Sequence, residues 1–286
     1  MNPICRECVL EKKLNGYPQD ADPEKIRIYQ EGVRKILDTD DFADTGTDAA
    51  WQIDRLWESL FGPLPDFGPV KRYFNELMMK WVPVLEERLE KADDPLLLAL
   101  QYAMTGNYID FAALGSVDEG KLGDLLRQAD LIPLDPEILR SFRDDLSKAK
   151  RLAFVADNCG EIVMDQVLMR QIRKLYPQIG ICAIVRGGPV ANDATMEDAL
   201  QIALTEDVQV IGSGTDYPGM HLERCSVEAG NILGEADVVI AKGQANFETL
   251  SGCGLNIYYA FMCKCELFTE RFGVEIFSGV LTRERM

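Results

Sequence analysis

Arg151-Leu152-Ala153-Phe154-Val155-Ala156-Asp157-Asn158-Cys159-Gly160-Glu161-Ile162-Val163-Met164-Asp165 is the stretch on which the reading of this chain turns. Its first six residues form an apolar run of the kind that makes a strand buried on both faces of a parallel sheet. From Ile162 to Leu175 the apolar residues fall at helical spacing. An acid, an amide and a second acid therefore stand where a strand stops and a helix starts. In an open α/β sheet the carboxyl ends of the strands are where ligands bind. Oxygen donors of this type suit hard cations. Gly160 lets a ligand approach the backbone, and the helix N-terminus offers free N–H groups to an anion. The plainer alternative is that Asp157 only caps the helix.

Outward from this stretch, the second half of the chain repeats the pattern. Short β-rich runs fall at Leu152–Ala156, Ile179–Val185, Val208–Ile211, Val238–Ala241, Asn256–Met262 and Val274–Phe277, with helical stretches between the earlier ones. Strand alternating with helix predicts an α/β fold with a Rossmann-like, three-layer, mostly parallel sheet and right-handed crossovers. The first half carries no strong strand signal. Amphipathic or capped helices are predicted from Pro23, over Trp51–Trp57, over Val70–Ala92, from Asp94-Pro95 to Met104, over Gly120–Ala129 and over Pro136–Lys148. The expected organisation is a helical N-terminal region, 1–148, followed by an α/β metal- and phosphate-binding domain, 149–286.

Composition narrows the function. Of 286 residues, 47% are hydrophobic, so a proper core is expected. The formal net charge is −17, and no basic stripe offsets it, which argues against nucleic-acid and anionic-membrane partners. No apolar run is long enough to span a bilayer. Met1-Asn2-Pro3-Ile4-Cys5 does not read as a signal peptide, so a cytoplasmic location is expected, with the eight cysteines as thiols or metal ligands rather than disulfides. The one histidine, His221, leaves little room for a Ser-His-Asp triad or a multi-histidine zinc site and points toward carboxylate chemistry. Nothing in the sequence fixes an oligomeric state.

Other strand ends add candidates. Arg186-Gly187-Gly188-Pro189 is a turn, and Asn192-Asp193-Ala194-Thr195 after it resembles a second helix start. Consecutive parallel strands usually neighbour each other, which would set Asp193 beside Asp157, two carboxylates that repel unless a cation or a proton lies between them. Ile211-Gly212-Ser213-Gly214-Thr215 is a weak anion-loop signal. After Asp237–Ala241 comes Lys242-Gly243-Gln244-Ala245-Asn246-Phe247-Glu248, where Lys242 is either a point charge for a phosphoryl group or a surface lysine. Gly106-Asn107 and Asp110 suit a helix C-cap and turn. Cys5-x-x-Cys8 and Cys263-Lys264-Cys265 carry ligand or redox spacing, with Cys5, Cys8 and Cys265 as a possible second metal or redox site, or are ordinary thiols.

Asp157-Asn158-Cys159-Gly160-Glu161, Asn192-Asp193 and Ala241-Lys242-Gly243-Gln244-Ala245-Asn246-Phe247-Glu248 together resemble the metal-dependent damage-control phosphatases, and fit the small prokaryotic branch of that family. Cys5-x-x-Cys8, Asp94-Pro95, Gly106-Asn107-x-Ile109-Asp110-Phe111, Pro218-Gly219 and Lys264-Cys265 match in the same order along nearly the whole chain. The resemblance implies a divalent metal (Mg, Mn, Co or Ni) held by Asp157, Asn158 and Asp193, and hydrolysis of small phosphorylated metabolites such as sugar phosphates. It assigns the phosphate to Lys242, and the pocket lining to Asn107, Asp110, Glu161, Gly243 and Asn246, with Asp157, Glu161 and Lys242 as catalytic candidates. Cys159 stands where many relatives carry Ala or Ser. Two other readings stay open: a carboxyl methyltransferase, although no Gly-rich loop follows the first strand, and a non-enzymatic metal-binding or sensing protein centred on the cysteines.

Overall fold

The computed structural model describes residues 1–39 and 46–284. The chain forms two compact units, Met1–Asp66 and Phe67–Met286. The first holds α1 (Pro3–Lys13), α2 (Pro23–Leu37) and α3 (Thr47–Phe61) around Tyr29, Val33, Leu37, Ala49 and Ile53. Asn2 and Asp22 cap the first two helices through their side chains, each followed by proline at the first helical position. The first helix went unread in the sequence because its apolar stripe is narrow and none of its residues is buried.

The second unit opens with α4 (Gly68–Lys91), α5 (Pro95–Gly106), α6 (Phe111–Leu114), α7 (Glu119–Arg127) and α8 (Pro136–Lys148). Strands then alternate with helices: β1 (Arg151–Val155), α9 (Glu161–Leu175), β2 (Gly180–Val185), α10 (Met196–Gln201), α11 (Leu204–Asp207), β3 (Gln209–Gly212), α12 (Val227–Glu235), β4 (Val238–Lys242), α13 (Gly243–Leu250), β5 (Ile257–Met262), α14 (Glu266–Phe272) and β6 (Gly279–Arg283). The expected division at 148 marks where strands begin; the compact units part earlier, between Asp66 and Phe67. The reason is α5, whose residues Leu98 to Gly106 are all buried, so that it must be covered on every side. It shares one core with α4, α7, α8, α9 and a face of the sheet.

The sheet order is β3-β2-β1-β4-β5-β6, with β1 to β5 parallel and β6 antiparallel. Alternate residues of β1 enter different cores: Leu152 and Phe154 on the side of α5 and α9, Ala153 and Val155 on the side of α12 and α13. Burial on both faces is why these strands read as continuous apolar runs. Strand order reverses between β1 and β4, which opens a crevice at their carboxyl ends. One predicted strand is displaced. Val274–Phe277 is not a strand: Gly273 ends α14 in the left-handed region, Phe277 has φ +66°, and the sixth strand is Gly279–Arg283. Among the described residues no helix is long and apolar enough to cross a membrane.

Candidate active site at the switch point

Two loops meet at the crevice. Cys159 N–H donates to the Asn192 carbonyl at 2.8 Å and Ala194 N–H to the Asp157 carbonyl at 2.7 Å. These bonds, with a bridge between Asn158 and Asp193, bring Asp157, Asn158 and Asp193 together. The turn has little steric freedom. Gly160 has φ +68°, and a Cβ there would lie 2.8 Å from Ile109 Cδ1. Gly243 (φ +78°) lies under the Asp157 carboxylate; a Cβ there would stand 1.9 Å from its Oδ2. Both positions require glycine.

The amides around Asp157 have their orientations fixed by partners that can only donate or only accept. Met262 N–H donates to Asn107 Oδ1 at 3.0 Å, so Asn107 Nδ2 faces Asp157 Oδ2 (3.0 Å) and Glu161 Oε2 (2.8 Å). Phe111 N–H donates to Asn192 Oδ1, so Asn192 Nδ2 faces Asn158 Oδ1 at 3.0 Å. Asn158 Nδ2 then donates to Asp157 Oδ2 (2.6 Å) and Glu161 Oε2 (3.1 Å). Arg186, immediately after β2, donates from Nε to Asp193 Oδ2 at 2.6 Å and from Nη2 to Asn246 Oδ1 at 3.3 Å; its Nη2 lies 3.6 Å from Asp157 Oδ1. Asn246 Nδ2 donates to the Ala156 and Lys242 carbonyls.

Lys242 is placed differently from the sequence expectation. Its side chain is fully buried, and its three protons are taken by the Ala103 carbonyl (2.8 Å), Glu161 Oε1 (2.5 Å) and Asp165 Oδ1 (2.9 Å). No proton remains for a phosphate. Glu161 is equally committed, between Lys242 and the amides of Asn107 and Asn158. The lysine at the edge of the cluster is Lys264, whose Nζ donates to the Asn107 carbonyl (2.7 Å) and Asp110 Oδ2 (2.5 Å). Asp110 also caps α6 by accepting from Ala113 N–H. Cys5 and Cys8 lie in α1 of the first unit, while Cys265 belongs to the second, where Gln244 Nε2 donates to its Sγ at 3.3 Å. Among the described residues no three His, Cys, Asp or Glu side chains are gathered as a metal-holding group, and the acids at the crevice are accompanied by the Asn158 amide. Among the described residues no disulfide joins the cysteines.

The charges do not balance. Five carboxyl groups, Asp110, Asp157, Glu161, Asp165 and Asp193, face three cationic side chains, Arg186, Lys242 and Lys264, and the cluster is almost wholly removed from water. With every group ionised, two negative charges would be left over. Burial, then Glu161 and then Asp193, push the Asp157 carboxyl well above the usual carboxylate range. Burial also raises Asp193 against the opposing pull of Arg186. It raises Asp165 to about 7, again against the opposing cation, Lys242. Asp165 Oδ2 has no hydrogen-bond partner, in keeping with a carboxyl held partly protonated. One divalent cation would neutralise the surplus. Its donors would be the oxygens of Asp157 and Asp193 and the Asn158 carbonyl oxygen, which has a second lone pair beside the one facing Asn192. The residues fit a hard divalent metal.

A pH dependence follows. The folded-state pKa of Asp165 is raised above its unfolded value of 3.8, so the folded protein retains a proton that the unfolded chain has lost between about pH 4 and pH 7. That contribution is fully present below the unfolded pKa and is lost as pH rises through 7. The Tm of metal-stripped protein is expected to fall between about pH 5 and pH 8, less steeply in Asp165→Asn. Saturating Mn²⁺ should flatten the profile by replacing the proton on Asp157. Scanning calorimetry across this range, with and without metal, checks it; identical slopes in all three samples would contradict it.

Sequence alone assigned no role to Arg186 or Asn75, placed Asn192 only within a matching motif, and offered Lys264 as a supporting match. Arg186 had a visible signal, an arginine directly abutting a fully apolar strand. Asn75 had none, since it lies 85 residues from the loop it touches.

The fold and site define a Rossmann-like α/β protein with a buried cluster of acids and amides at its topological switch point. The chain matches the family described as the damage-control phosphatase ARMT1-like domain over residues 1–280, and it belongs to that family. It is 28% identical to a damage-control phosphatase of Archaeoglobus fulgidus over 285 residues, 96% of each chain. It is 33% identical to the damage-control phosphatase PH1575 of Pyrococcus horikoshii over 194 residues, 67% of this chain and 65% of that one. The protein MJ0202 of Methanocaldococcus jannaschii is 28% identical over 99% of this chain and 95% of its own. The crystal structure of PH1575, a DUF89 family protein, superposes with a TM-score of 0.80 at 24% identity, covering 100% of this chain and 99% of that one, which shows a shared fold.

Proposed function

We propose that the chain is a metal-dependent phosphomonoesterase acting on small phosphorylated metabolites. The observation that carries this is the buried excess of two carboxyl groups over cationic side chains at the strand ends, in the cluster that holds Asp157, Asn158 and Asp193, in a chain of a phosphatase family. These three residues would hold the metal, which when bound supplies Lewis-acid charge neutralisation to a phosphate oxygen. Mg, Mn, Co and Ni all accept such donors.

The chain's own groups do the remaining work. Lys264 keeps one of its three N–H donors after the Asn107 carbonyl and Asp110, and takes the phosphate role that Lys242 cannot. Arg186 Nη1 has no partner and supplies a second donor for a phosphate oxygen. Asn107 and Glu161 hold the Asp157 carboxylate in one orientation; Gly243 gives it room, and Asn246 fixes Arg186. A water attacks phosphorus in line while Lys264 and Arg186 hold the non-reacting oxygens; the P–O bond to the ester alcohol breaks, a proton of the water ends on the departing alcohol oxygen, and inorganic phosphate remains. The acidic surface disfavours polyanionic nucleic acid and leaves a compact phosphate ester as the fitting partner.

The test is p-nitrophenyl phosphate hydrolysis by metal-stripped protein with Mg²⁺, Mn²⁺, Co²⁺ or Ni²⁺ restored singly. Turnover is expected only with metal present, and Lys264→Ala is expected to raise KM for the ester and weaken inhibition by inorganic phosphate. Absence of turnover with every metal would overturn the reading.

A further inference from the structure

We propose that Asn75, on α4, is a positioning residue that sets the distance between the two loops carrying the acids of the site. The inference rests on the metal-site reading above, and it assigns part of that site to the helical stretch before the sheet. Asn75 is completely buried. Its Oδ1 accepts from the Gly160 N–H at 2.6 Å. A backbone N–H can only donate, so the oxygen end must face Gly160 and the NH₂ end must face the other way. There it donates to Asp198 Oδ1 at 2.9 Å and Gln201 Oε1 at 2.8 Å.

Gly160 closes the turn that follows Asp157 and Asn158. Asp198 lies in the first turn of α10, directly after the loop that carries Asp193. One side chain thus spans both loops from a third element. Asp198 is itself fixed, because its Oδ2 accepts from Thr195 N–H and Oγ1, both at 2.8 Å, and pairs with Lys71 at 2.7 Å. Lys71 and Asn75 stand one helical turn apart on α4, on the same face. The Asn75 amide is therefore anchored at one end by a backbone turn with positive φ and at the other by a buried ion pair. A shift of α4 would be transmitted to the gap between Asp157 and Asp193. Partners hydrogen-bonded directly to metal ligands are worth about 10–100-fold in metal affinity, and Asn75 acts on the same ligands through the backbone of the two loops that carry them.

The experiment compares the full chain with Asn75→Ala, Asn75→Asp and the swap Asn75→Asp with Asp198→Asn. Mn²⁺ affinity is measured by titration calorimetry, kcat and KM with p-nitrophenyl phosphate, and amide hydrogen exchange over residues 158–162 and 193–198. Asn75→Ala is expected to weaken Mn²⁺ binding about 10–100-fold and to speed exchange in both segments. At saturating metal it should lower kcat more than it changes KM. Asn75→Asp keeps the acceptor for Gly160 but sets a second carboxylate against Asp198, so it should be impaired as well. The swap restores a donor–acceptor pair with the same total charge, moves the carboxylate that faces Lys71 to position 75, one turn along its own helix, and should recover affinity to within a few-fold. Unchanged exchange and affinity in Asn75→Ala, or a swap no better than Asn75→Asp, would overturn the proposal. If wild-type protein binds no Mn²⁺ and hydrolyses nothing, the proposed function fails instead, and the exchange data alone still decide whether Asn75 ties the two loops. Should Asn75→Ala fail to fold, the contrast between Asn75→Asp and the swap carries the test.

Discussion

Asp157→Ala is expected to lose hydrolysis by roughly a thousandfold or more, since a metal's charge stabilisation in the transition state is several kcal/mol and each 1.36 kcal/mol is a factor of ten. The fold should survive. Asp157 is a burden on the folded state: its carboxylate is buried, repelled by Glu161 and Asp193, and driven toward its neutral form. Removing it relieves that repulsion. The amides of Asn107 and Asn158 each keep Glu161 Oε2 as one acceptor, and water entering the space left by the carboxylate takes the second N–H of each. The Tm of metal-free Asp157→Ala should therefore equal or exceed that of wild type, while calorimetry shows Mn²⁺ binding gone. Asp157→Asn, which keeps the shape and removes the charge, should behave alike. A residue that only capped α9 would give the opposite pattern: a loss of stability of about 1 kcal/mol, with activity retained. Turnover in Asp157→Ala near the wild-type rate would remove the site from this crevice.

What the sequence made legible was local. The strand ending at Val155, the acid–amide turn and the helix from Glu161 lie within one continuous run, so hydrophobic period and turn chemistry located them without knowledge of the rest. The two cores on either side of the sheet followed from strands apolar at every position. What was hidden depends on contacts distant in sequence. Lys242 looked like a phosphate ligand because it follows a strand and precedes glycine. Its environment comes from Ala103, 139 residues away, and from Glu161 and Asp165 on α9. No local pattern separates a lysine pointing into the crevice from one turned beneath it. Lys264 was the reverse case, a short Cys-Lys-Cys segment whose lysine reaches Asp110 from 154 positions on. The sixth strand misled because Val274, Ile276 and Phe277 have strand-forming side chains, whereas the left-handed Gly273 and the positive φ of Phe277 prevent it. The segment that does pair, ending in Thr282 and Arg283, is more polar, as an edge strand should be.

Lys242→Met should destabilise the protein by about 3–5 kcal/mol, the cost of leaving a buried charge without its partner. Glu161 and Asp165 have no exposed surface, and Lys242 is the cation that each contacts. With it gone, both must protonate or admit water, and Ala103 loses a donor to its carbonyl. The effect is one of fold as well as function, which distinguishes it from loss of a phosphate ligand. A phosphate-binding lysine replaced by methionine would raise KM and leave Tm unchanged. Neutralising the remaining partners sharpens the argument. Lys242→Met combined with Glu161→Gln and Asp165→Leu leaves no unpaired charge in the triad, and replacing a buried ion cluster with neutral groups of similar volume is often without net cost. Gln at 161 can still accept from Asn107 and Asn158 through its oxygen. The triple variant is therefore expected to regain most of the lost stability, measured by chemical denaturation, and the single variant to be the least stable of the set. If the single and triple variants are equally unstable, charge compensation is not what Lys242 supplies. If the single variant is as stable as wild type but weak in KM, the lysine is turned toward substrate after all.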